Sequence, residues 1–188
     1  MPYQRSLGAR WKQMQRICFF ILMFVAGRAG AQTLPSNEEF LNEVFRQMHD
    51  SGISSCYLIA GSDTCRFEKF DYDEWIKYHL EETVPLTTLN ELAYKVHIAK
   101  EPYYWQQGKL QNVLCITAKT ADSLLALPSG SRVYSLSRPY FTDDGEYVVM
   151  DVNVQYRPIP VYGFTILFHR TPKGWKQIGM KQNHGPID

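Results

Sequence analysis

Few side chains in this sequence are spaced so that they could do chemistry together, and the clearest pair is Asp151 and His169. They fall in two neighbouring strand-like runs. If these runs pair so that Asp151 stands opposite Leu167, His169 lies one diagonal step away, where Cβ atoms are up to about 7–8 Å apart. A carboxylate and an imidazole at that spacing could act as a general base, directly or through water. The pair predicts a small hydrolase or isomerase site.

Three polar residues would flank this pair on the same sheet face, and they are candidate ligand contacts: Asn153, Gln155 and Thr165. The alternative is a solvated face whose polar side chains only keep one side of the sheet in water. We favour the solvated face, because a single Asp–His pair carries little information about catalysis.

The elements that must position these residues are two strands with alternating side chains. In residues 146–157, Val148, Met150, Val152 and Val154 share one face, and polar side chains dominate the other. This period of two is typical of a strand with one buried and one wetter face, and residues 162–170 repeat it. Two prolines lie between the runs and remove backbone donors, so residues 157–161 are predicted to form a loop.

The two runs belong to a predicted antiparallel meander over residues 133–180, preceded by a strand within residues 110–117. Turn signals at residues 143–145 and 171–174 separate its strands. In the last strand Trp175 and Ile178 have opposite parity. A bulge, or a Trp175 just outside the ladder, would reconcile them.

Helices are predicted before the sheet, because three capping-box patterns each precede an apolar stripe with helical spacing. The three pairs are Ser36 with Glu39, Asp71 with Glu74, and Thr88 with Glu91. A short fourth helix is predicted at residues 120–127. The fold class is therefore α+β, with a helical part at about 36–100 and an antiparallel sheet of four to five strands at about 110–181. Cystatin and NTF2-type folds are the nearest analogy.

Three consecutive aromatic residues form a second candidate binding feature, in a predicted loop after Pro102. They are Tyr103, Tyr104 and Trp105. Aromatic side chains in a loop could form a ligand platform, but in a small domain they more often close the edge of a core. Core packing is the favoured interpretation.

The first 31 residues are predicted to be a secretory signal peptide. Four basic residues precede an apolar run of 11 residues, 17–27, which is short of the ~20 that a bilayer span requires. Small residues at Ala29 and Ala31 predict cleavage between Ala31 and Gln32. The mature protein would be a single domain of residues 32–188, secreted or periplasmic, with no transmembrane anchor.

Cleavage would remove five of the 20 basic residues and no acidic residue, which leaves 19 acidic residues and a net charge of −4. This balance argues against a nucleic-acid partner. In an oxidising compartment Cys56 and Cys65 are predicted to form a disulfide, and Cys115 to be a small buried hydrophobe. No metal-binding spacing or phosphate-binding loop occurs, so no metal site or cofactor is predicted.

A family resemblance covers roughly residues 110–180. Residues 135–141, 144–147, Gly163 and 173–176 together resemble uncharacterised secreted proteins common in Bacteroidetes, which have an S-R-P-x-F segment, a glycine-led strand and a closing G-x-W-K. Many of those proteins have a cysteine- or glycine-rich turn where this chain has Arg-Pro-Ile-Pro at 157–160. The resemblance implies export and the strand arrangement, and it implies no reaction.

These patterns favour a non-enzymatic exported module that binds a small molecule, a glycan or an envelope protein. The signal peptide, the aromatic loop and the lack of a catalytic motif support that interpretation. The alternative is the small hydrolase or isomerase that would use Asp151 and His169.

Overall fold

The structure is a computed structural model, and it describes residues 34–49, 56–63, 65–67, 75, 80–99, 101–127, 132–156 and 159–184. The predicted signal peptide lies outside these residues, and so does the predicted second helix apart from Trp75 and Leu80. The α+β class is confirmed, since the described chain contains three helices and a seven-stranded sheet.

The elements alternate along the chain instead of forming a helical half and a sheet half. The helices are α1 (Asn37–His49), α2 (Leu86–Ile98) and α3 (Ala118–Leu125). The strands are β1 (Cys56–Ile59), β2 (Val113–Ile116), β3 (Val133–Leu136), β4 (Tyr140–Phe141), β5 (Tyr147–Tyr156), β6 (Ile159–Thr171) and β7 (Gly174–His184). The order across the sheet is β2-β1-β3-β5-β6-β7, and β4 pairs with β5.

The sheet is mixed, so the prediction of a purely antiparallel sheet is wrong for its first strands. Strand β1 pairs in parallel with both β2 and β3, and the sheet is antiparallel from β3 to β7. Parallel neighbours need a long crossover connection. Helix α2 lies between β1 and β2 in the sequence, and α3 lies between β2 and β3, so the chain has the length that these crossovers need.

The register between β5 and β6 differs from the predicted one by two residues. Asp151 pairs with Thr165, not with Leu167. The cause is a shorter connection than the prolines suggested, because β6 already begins at Ile159 and contains Pro160. A shift by two keeps every side chain on its predicted face but changes its partner.

A bulge in the last strand is confirmed, and so are the turns before that strand, but the bulge does not bring Trp175 and Ile178 to the same face of the sheet. Leu167 pairs with Gly179 and Phe168 with Gln177, which leaves Ile178 as the extra residue. The turns predicted at 143–145 and 171–174 contain Gly145 and Gly174, whose φ angles of 69° and 112° favour glycine.

One face of the sheet packs against α1, and we call it the α1 face. On β5 it carries the even-numbered residues from Val148 to Val154. Phe40 of α1 is completely buried there, and its ring makes edge-to-face contacts with Phe141, Phe168 and Trp175 at centroid distances of 5.5, 5.4 and 5.1 Å. This aromatic cluster fixes α1 on the sheet.

The opposite face, which we call the α2 face, carries Val149, Asp151 and Asn153 on β5. Leu89, Leu92 and Ala93 of α2 pack there with Trp75, Val149, Leu167 and Ile178. Helix α3 packs further along the same face, against Val133. Helices thus cover both faces, which is why Trp175 and Ile178 are both buried although they point in opposite directions.

The predicted capping box at α1 is confirmed. The Ser36 N–H donates to Glu39 Oε2 at 2.7 Å, and the Glu39 N–H donates to Ser36 Oγ at 3.2 Å. These hydrogen bonds lower the pKa of Glu39 below its usual value. They satisfy two backbone donors at the helix start.

The capping box predicted at Thr88 and Glu91 is wrong, although the helix itself forms. Helix α2 begins at Leu86 after Pro85 and has no side-chain cap. The Glu91 carboxylate instead lies 2.9 Å from Lys95 Nζ, one turn along the helix. Proline presets the backbone angle of a helix start, so this helix forms without a capping side chain.

Candidate functional site

Asp151, the strongest candidate from the sequence, is buried in the α2 face with 2% of its surface exposed. Its Oδ1 accepts hydrogen bonds from Thr165 Oγ1 at 2.6 Å and from Cys65 Sγ at 3.5 Å. Its Oδ2 accepts from the Arg66 N–H at 3.0 Å and from Asn183 Nδ2 at 3.3 Å. Each carboxylate oxygen therefore has two donors from the protein itself.

The environment of Asp151 and Cys65 raises the pKa of both groups. Burial raises the pKa of Asp151, and the hydrogen bonds from Thr165 and Arg66 offset part of that effect. Burial raises the pKa of the Cys65 thiol well above its usual value, and the neighbouring Asp151 charge raises it further. A thiol in these surroundings stays protonated and donates to the carboxylate, so it is not a nucleophile.

Ser137 extends this network through the sheet. Its Oγ accepts from the Asp151 N–H at 2.8 Å and donates to the Arg138 carbonyl at 3.1 Å. Asn183 Nδ2 also donates to Thr165 Oγ1 at 2.8 Å. We call the five residues Cys65, Ser137, Asp151, Thr165 and Asn183 the polar core. It ties β5, β6 and β7 to the segment 65–67.

His169 does not meet Asp151. It pairs with Tyr147, four residues along β5 from Asp151, which is about 13 Å of strand. Its ring stacks on Tyr147 at 4.5 Å, and its Nδ1 lies 3.1 Å from Glu82 Oε2. Hydrogen bonds from Lys176 and His169 lower the pKa of Glu82. The predicted diagonal contact is wrong because the β5–β6 register differs.

Asn153 and Gln155 lie beyond the polar core on the same face. Asn153 Nδ2 donates to Asp63 Oδ2 at 2.7 Å, and Ser135 Oγ donates to the same oxygen. Gln155 pairs with Val133 near the end of β5. No local pattern connects Asp63 with Asn153, because Asp63 lies 90 residues earlier in the chain.

The three aromatic residues of the predicted loop separate into two packed side chains and one exposed side chain. Trp105 is 3% exposed, and the Tyr103 ring meets it edge-to-face at 4.8 Å. The Tyr103 hydroxyl donates to Glu38 Oε1. Tyr104 is 65% exposed. The structure therefore does not bring the three rings together as one exposed platform.

The predicted disulfide is absent, since Cys56, Cys65 and Cys115 are all free thiols in the described chain. Cys56 belongs to the core on the α1 face, whereas Cys65 lies in the polar core on the α2 face. The sheet separates their side chains, which their nine-residue spacing did not reveal. Burial raises the pKa of Cys56 to about 11.

A cavity of about 300 Å³ lies between α1 and the α1 face of the sheet. We call it the apolar pocket. Its walls include Leu41, Val44 and Phe45 from the helix, and Met150, Val152 and Ile166 from the sheet. Met150 is buried in the same core as Phe40 of α1, whereas Val152 and Ile166 are only half-buried. The cavity therefore lies where the helix stops covering the strands.

The polar side chains in the lining of the apolar pocket are uncharged. They are Gln47, Gln177 and Tyr134. Burial raises the pKa of Tyr134, so its hydroxyl stays protonated. A site of this composition suits an apolar molecule with at most one or two neutral polar groups, because an unpaired charge is costly to remove from water.

Further properties of the described residues bear on function. None of their helices combines the length and the apolar character that a bilayer crossing requires. The described residues contain no group of three or more His, Cys, Asp or Glu side chains that could hold a metal ion.

The chain matches no protein-family model, no curated protein and no solved structure. The resemblance to secreted Bacteroidetes proteins therefore stays a prediction.

Proposed function

We propose that this protein is a non-enzymatic module that binds a small, uncharged, mostly apolar molecule in the apolar pocket. The observation that carries the proposal is the cavity of about 300 Å³ with an apolar lining. Small-molecule sites have volumes of about 300–1,000 Å³, and a few polar groups orient the ligand in a mainly apolar surface. The volume favours a compact ligand.

The binding free energy would come from apolar surface that the protein leaves incompletely covered. Val152 and Ile166 are half-buried, and a ligand against them would remove the rest of their surface from water. Each buried Å² of apolar surface contributes roughly 25 cal/mol. The amides of Gln47 and Gln177 would hydrogen-bond to a neutral polar group of the ligand.

Among the partner classes that the sequence left open, the pocket favours a small molecule over a glycan or an envelope protein. A glycan presents many hydroxyls, and the three polar side chains of this lining would leave most of them unpaired. The analogy with cystatin and NTF2-type folds belongs to the same proposal. Here α1 lies across antiparallel strands, and the cavity lies between them.

Export is the second part of the proposal, and the sequence of residues 1–31 supports it. The expected product is a secreted or periplasmic protein that begins at Gln32. Terminal sequencing of the protein from culture supernatant or periplasm tests this directly. A full-length chain in the membrane or cytoplasmic fraction would contradict it.

A hydrolase or isomerase that uses Asp151 and His169 is the competing proposal, and the geometry supports it less. His169 on β6 pairs with Tyr147, which lies four residues along β5 from Asp151. Both Asp151 oxygens already accept hydrogen bonds from protein donors. A general base must reach the proton that it abstracts.

The binding proposal is tested with N-phenyl-1-naphthylamine, a neutral fluorophore that brightens in apolar sites. The variant Val152→Phe places a ring in the cavity and should weaken binding by about tenfold or more. Leu114→Phe on β2 is the matched control, because Leu114 is 50% exposed and lies outside the pocket. Equal affinities for the two variants would overturn the proposal.

A further inference from the structure

A second cavity, of about 480 Å³, lies where the segment 138–141 meets the end of α2 and the start of α1. We call it the Arg138 pocket. Its lining combines apolar walls with polar groups, and the residues that matter here are Leu34, Ile98, Phe141, Lys95, Arg138 and Glu101. Residues 138–141 belong to the segment on which the family resemblance rests, and they lie outside the apolar pocket.

Lys95 is not the group that would receive a ligand in this pocket. Its ammonium lies 2.9 Å from Glu91 and 2.6 Å from Asp143, and it donates to the Phe141 carbonyl at 2.7 Å. An ammonium has three N–H donors, so all of them are engaged. Hydrogen bonds to the two carboxylates raise its pKa above the usual value, against the effect of burial.

Arg138 differs from Lys95 because it forms no ion pair within the described residues. It is half-buried, and its guanidinium lies over the Tyr140 ring at 5.2 Å from the centroid. This contact with the ring uses no N–H donor for a hydrogen bond to an acceptor atom, so the guanidinium donors remain available to a ligand. Glu101, the carboxylate in the lining, lies on the exposed side of the pocket.

We propose that the Arg138 pocket binds a small apolar monocarboxylic acid. Arg138 donates two parallel N–H bonds to the carboxylate, the geometry in which arginine recognises such groups. Leu34, Ile98 and Phe141 cover the apolar part of the ligand. Glu101 repels a second negative charge, which favours a monoanion over a dianion. This site is separate from the apolar pocket and takes a charged ligand, so it extends the proposed function.

The test is calorimetric titration of the whole protein with 2-naphthoate and with the neutral 2-naphthamide. In the Val152→Phe protein, whose apolar pocket is blocked and cannot take up the neutral amide, the acid should bind about tenfold more tightly than the amide, because a charged hydrogen-bonded pair is lost with the amide. Arg138→Gln should weaken naphthoate binding by about tenfold or more and leave the amide unchanged. Arg138→Lys should retain an intermediate affinity, since lysine keeps the charge but not the two-pronged geometry.

Two control variants make the result specific. Arg46→Gln removes the same charge from an exposed position on α1 and should change naphthoate affinity by less than about twofold. Val152→Phe blocks the apolar pocket and should also leave naphthoate affinity unchanged, so failure of one pocket is distinguishable from failure of the other.

The proposal is overturned if the Val152→Phe protein binds acid and amide equally, or if Arg46→Gln and Arg138→Gln weaken naphthoate binding equally. Thermal melts establish that each variant is folded. If Arg138→Gln does not fold, the acid–amide comparison on the Val152→Phe protein and the Arg138→Lys variant still decide the outcome.

Discussion

The two faces of β5 place chemically opposite residues side by side, and they differ in how completely they are closed. On the α2 face Asp151 is 2% exposed and accepts four hydrogen bonds from the protein. On the α1 face the next residue, Val152, is half-buried beside a cavity. On the α2 face the hydrogen bonds of the buried carboxylate are all made by the protein, whereas on the α1 face a cavity remains. In this protein, the space around a side chain indicates a binding site better than its chemical type does.

The lengths of the covering elements explain the difference. Helix α1 has 13 residues and is about 20 Å long. Strand β6 also has 13 residues but extends over roughly 40 Å. One helix therefore covers part of the α1 face, whereas α2, α3 and the segment 65–67 together cover the α2 face. Burying a carboxylate without hydrogen-bond donors would cost free energy, so Asp151 must be buried together with the groups that donate to it.

The largest expected effect follows from opening the polar core. Asp151→Ala leaves Thr165, Asn183 and the Arg66 N–H without their acceptor and should lower the free energy of unfolding by about 3–5 kcal/mol. Asp122→Ala on the exposed side of α3 is the control, and it should change stability by less than about 0.5 kcal/mol. Urea titrations measure both. A loss below about 1 kcal/mol for Asp151→Ala would mean that the carboxylate is not a structural centre.

A smaller change in the same network should have a proportionate effect. Thr165→Val keeps the side-chain shape and removes the hydroxyl that donates to Asp151 at 2.6 Å. The expected loss is about 1–2 kcal/mol. Thr87→Val, an exposed threonine in α2, provides the matched comparison. Equal stabilities of the two variants would contradict the role given to Thr165.

The pH dependence of stability sharpens the comparison further. Burial raises the pKa of Asp151 above the usual 3.8, so the folded protein holds this proton more tightly than the unfolded chain does. Its contribution to stability is therefore present below 3.8 and is lost as the pH rises through the folded-state pKa. Asp151→Asn cannot titrate. As the pH is lowered from about 7 to about 4, the free energy of unfolding of the wild type should increase relative to that of this variant. A decrease would contradict a raised pKa for Asp151.

The cysteines provide a prediction that does not depend on stability. Alkylation of the folded protein should label half-buried Cys115 before the buried Cys56 and Cys65, because thiolate fraction and access both limit the reaction. After denaturation without reductant, mass spectrometry should find all three labelled. Peptides joined through Cys56 and Cys65 would restore the disulfide predicted from the sequence.

Local patterns predicted the elements of the fold better than their arrangement. The Ser36–Glu39 pair gave the start of α1, and alternation gave β5 and β6. Strand β1 was not predicted, and neither was its parallel pairing, because that pairing depends on contacts across long crossovers. The register of β6 was missed because Pro160 was interpreted as a breaker, whereas it lies within the strand.

The site was predictable only to the level of single residues. Asp151 was predicted on a polar face that we favoured as solvated, but it is buried, and two of its partners lie 86 and 85 residues earlier, at Cys65 and Arg66. No local pattern connects such distant positions. The apolar pocket left no signal either, because it results from the difference in length between α1 and the strands below it.

The most direct test of the central claim is methyl NMR of the purified protein during addition of N-phenyl-1-naphthylamine. We expect saturable shifts at Val44, Val152 and Ile166 around the apolar pocket, and none at Val149 and Leu167 on the opposite face. Shifts confined to Val149 and Leu167, or no saturable shifts at all, would contradict the assignment of ligand binding to the α1 face.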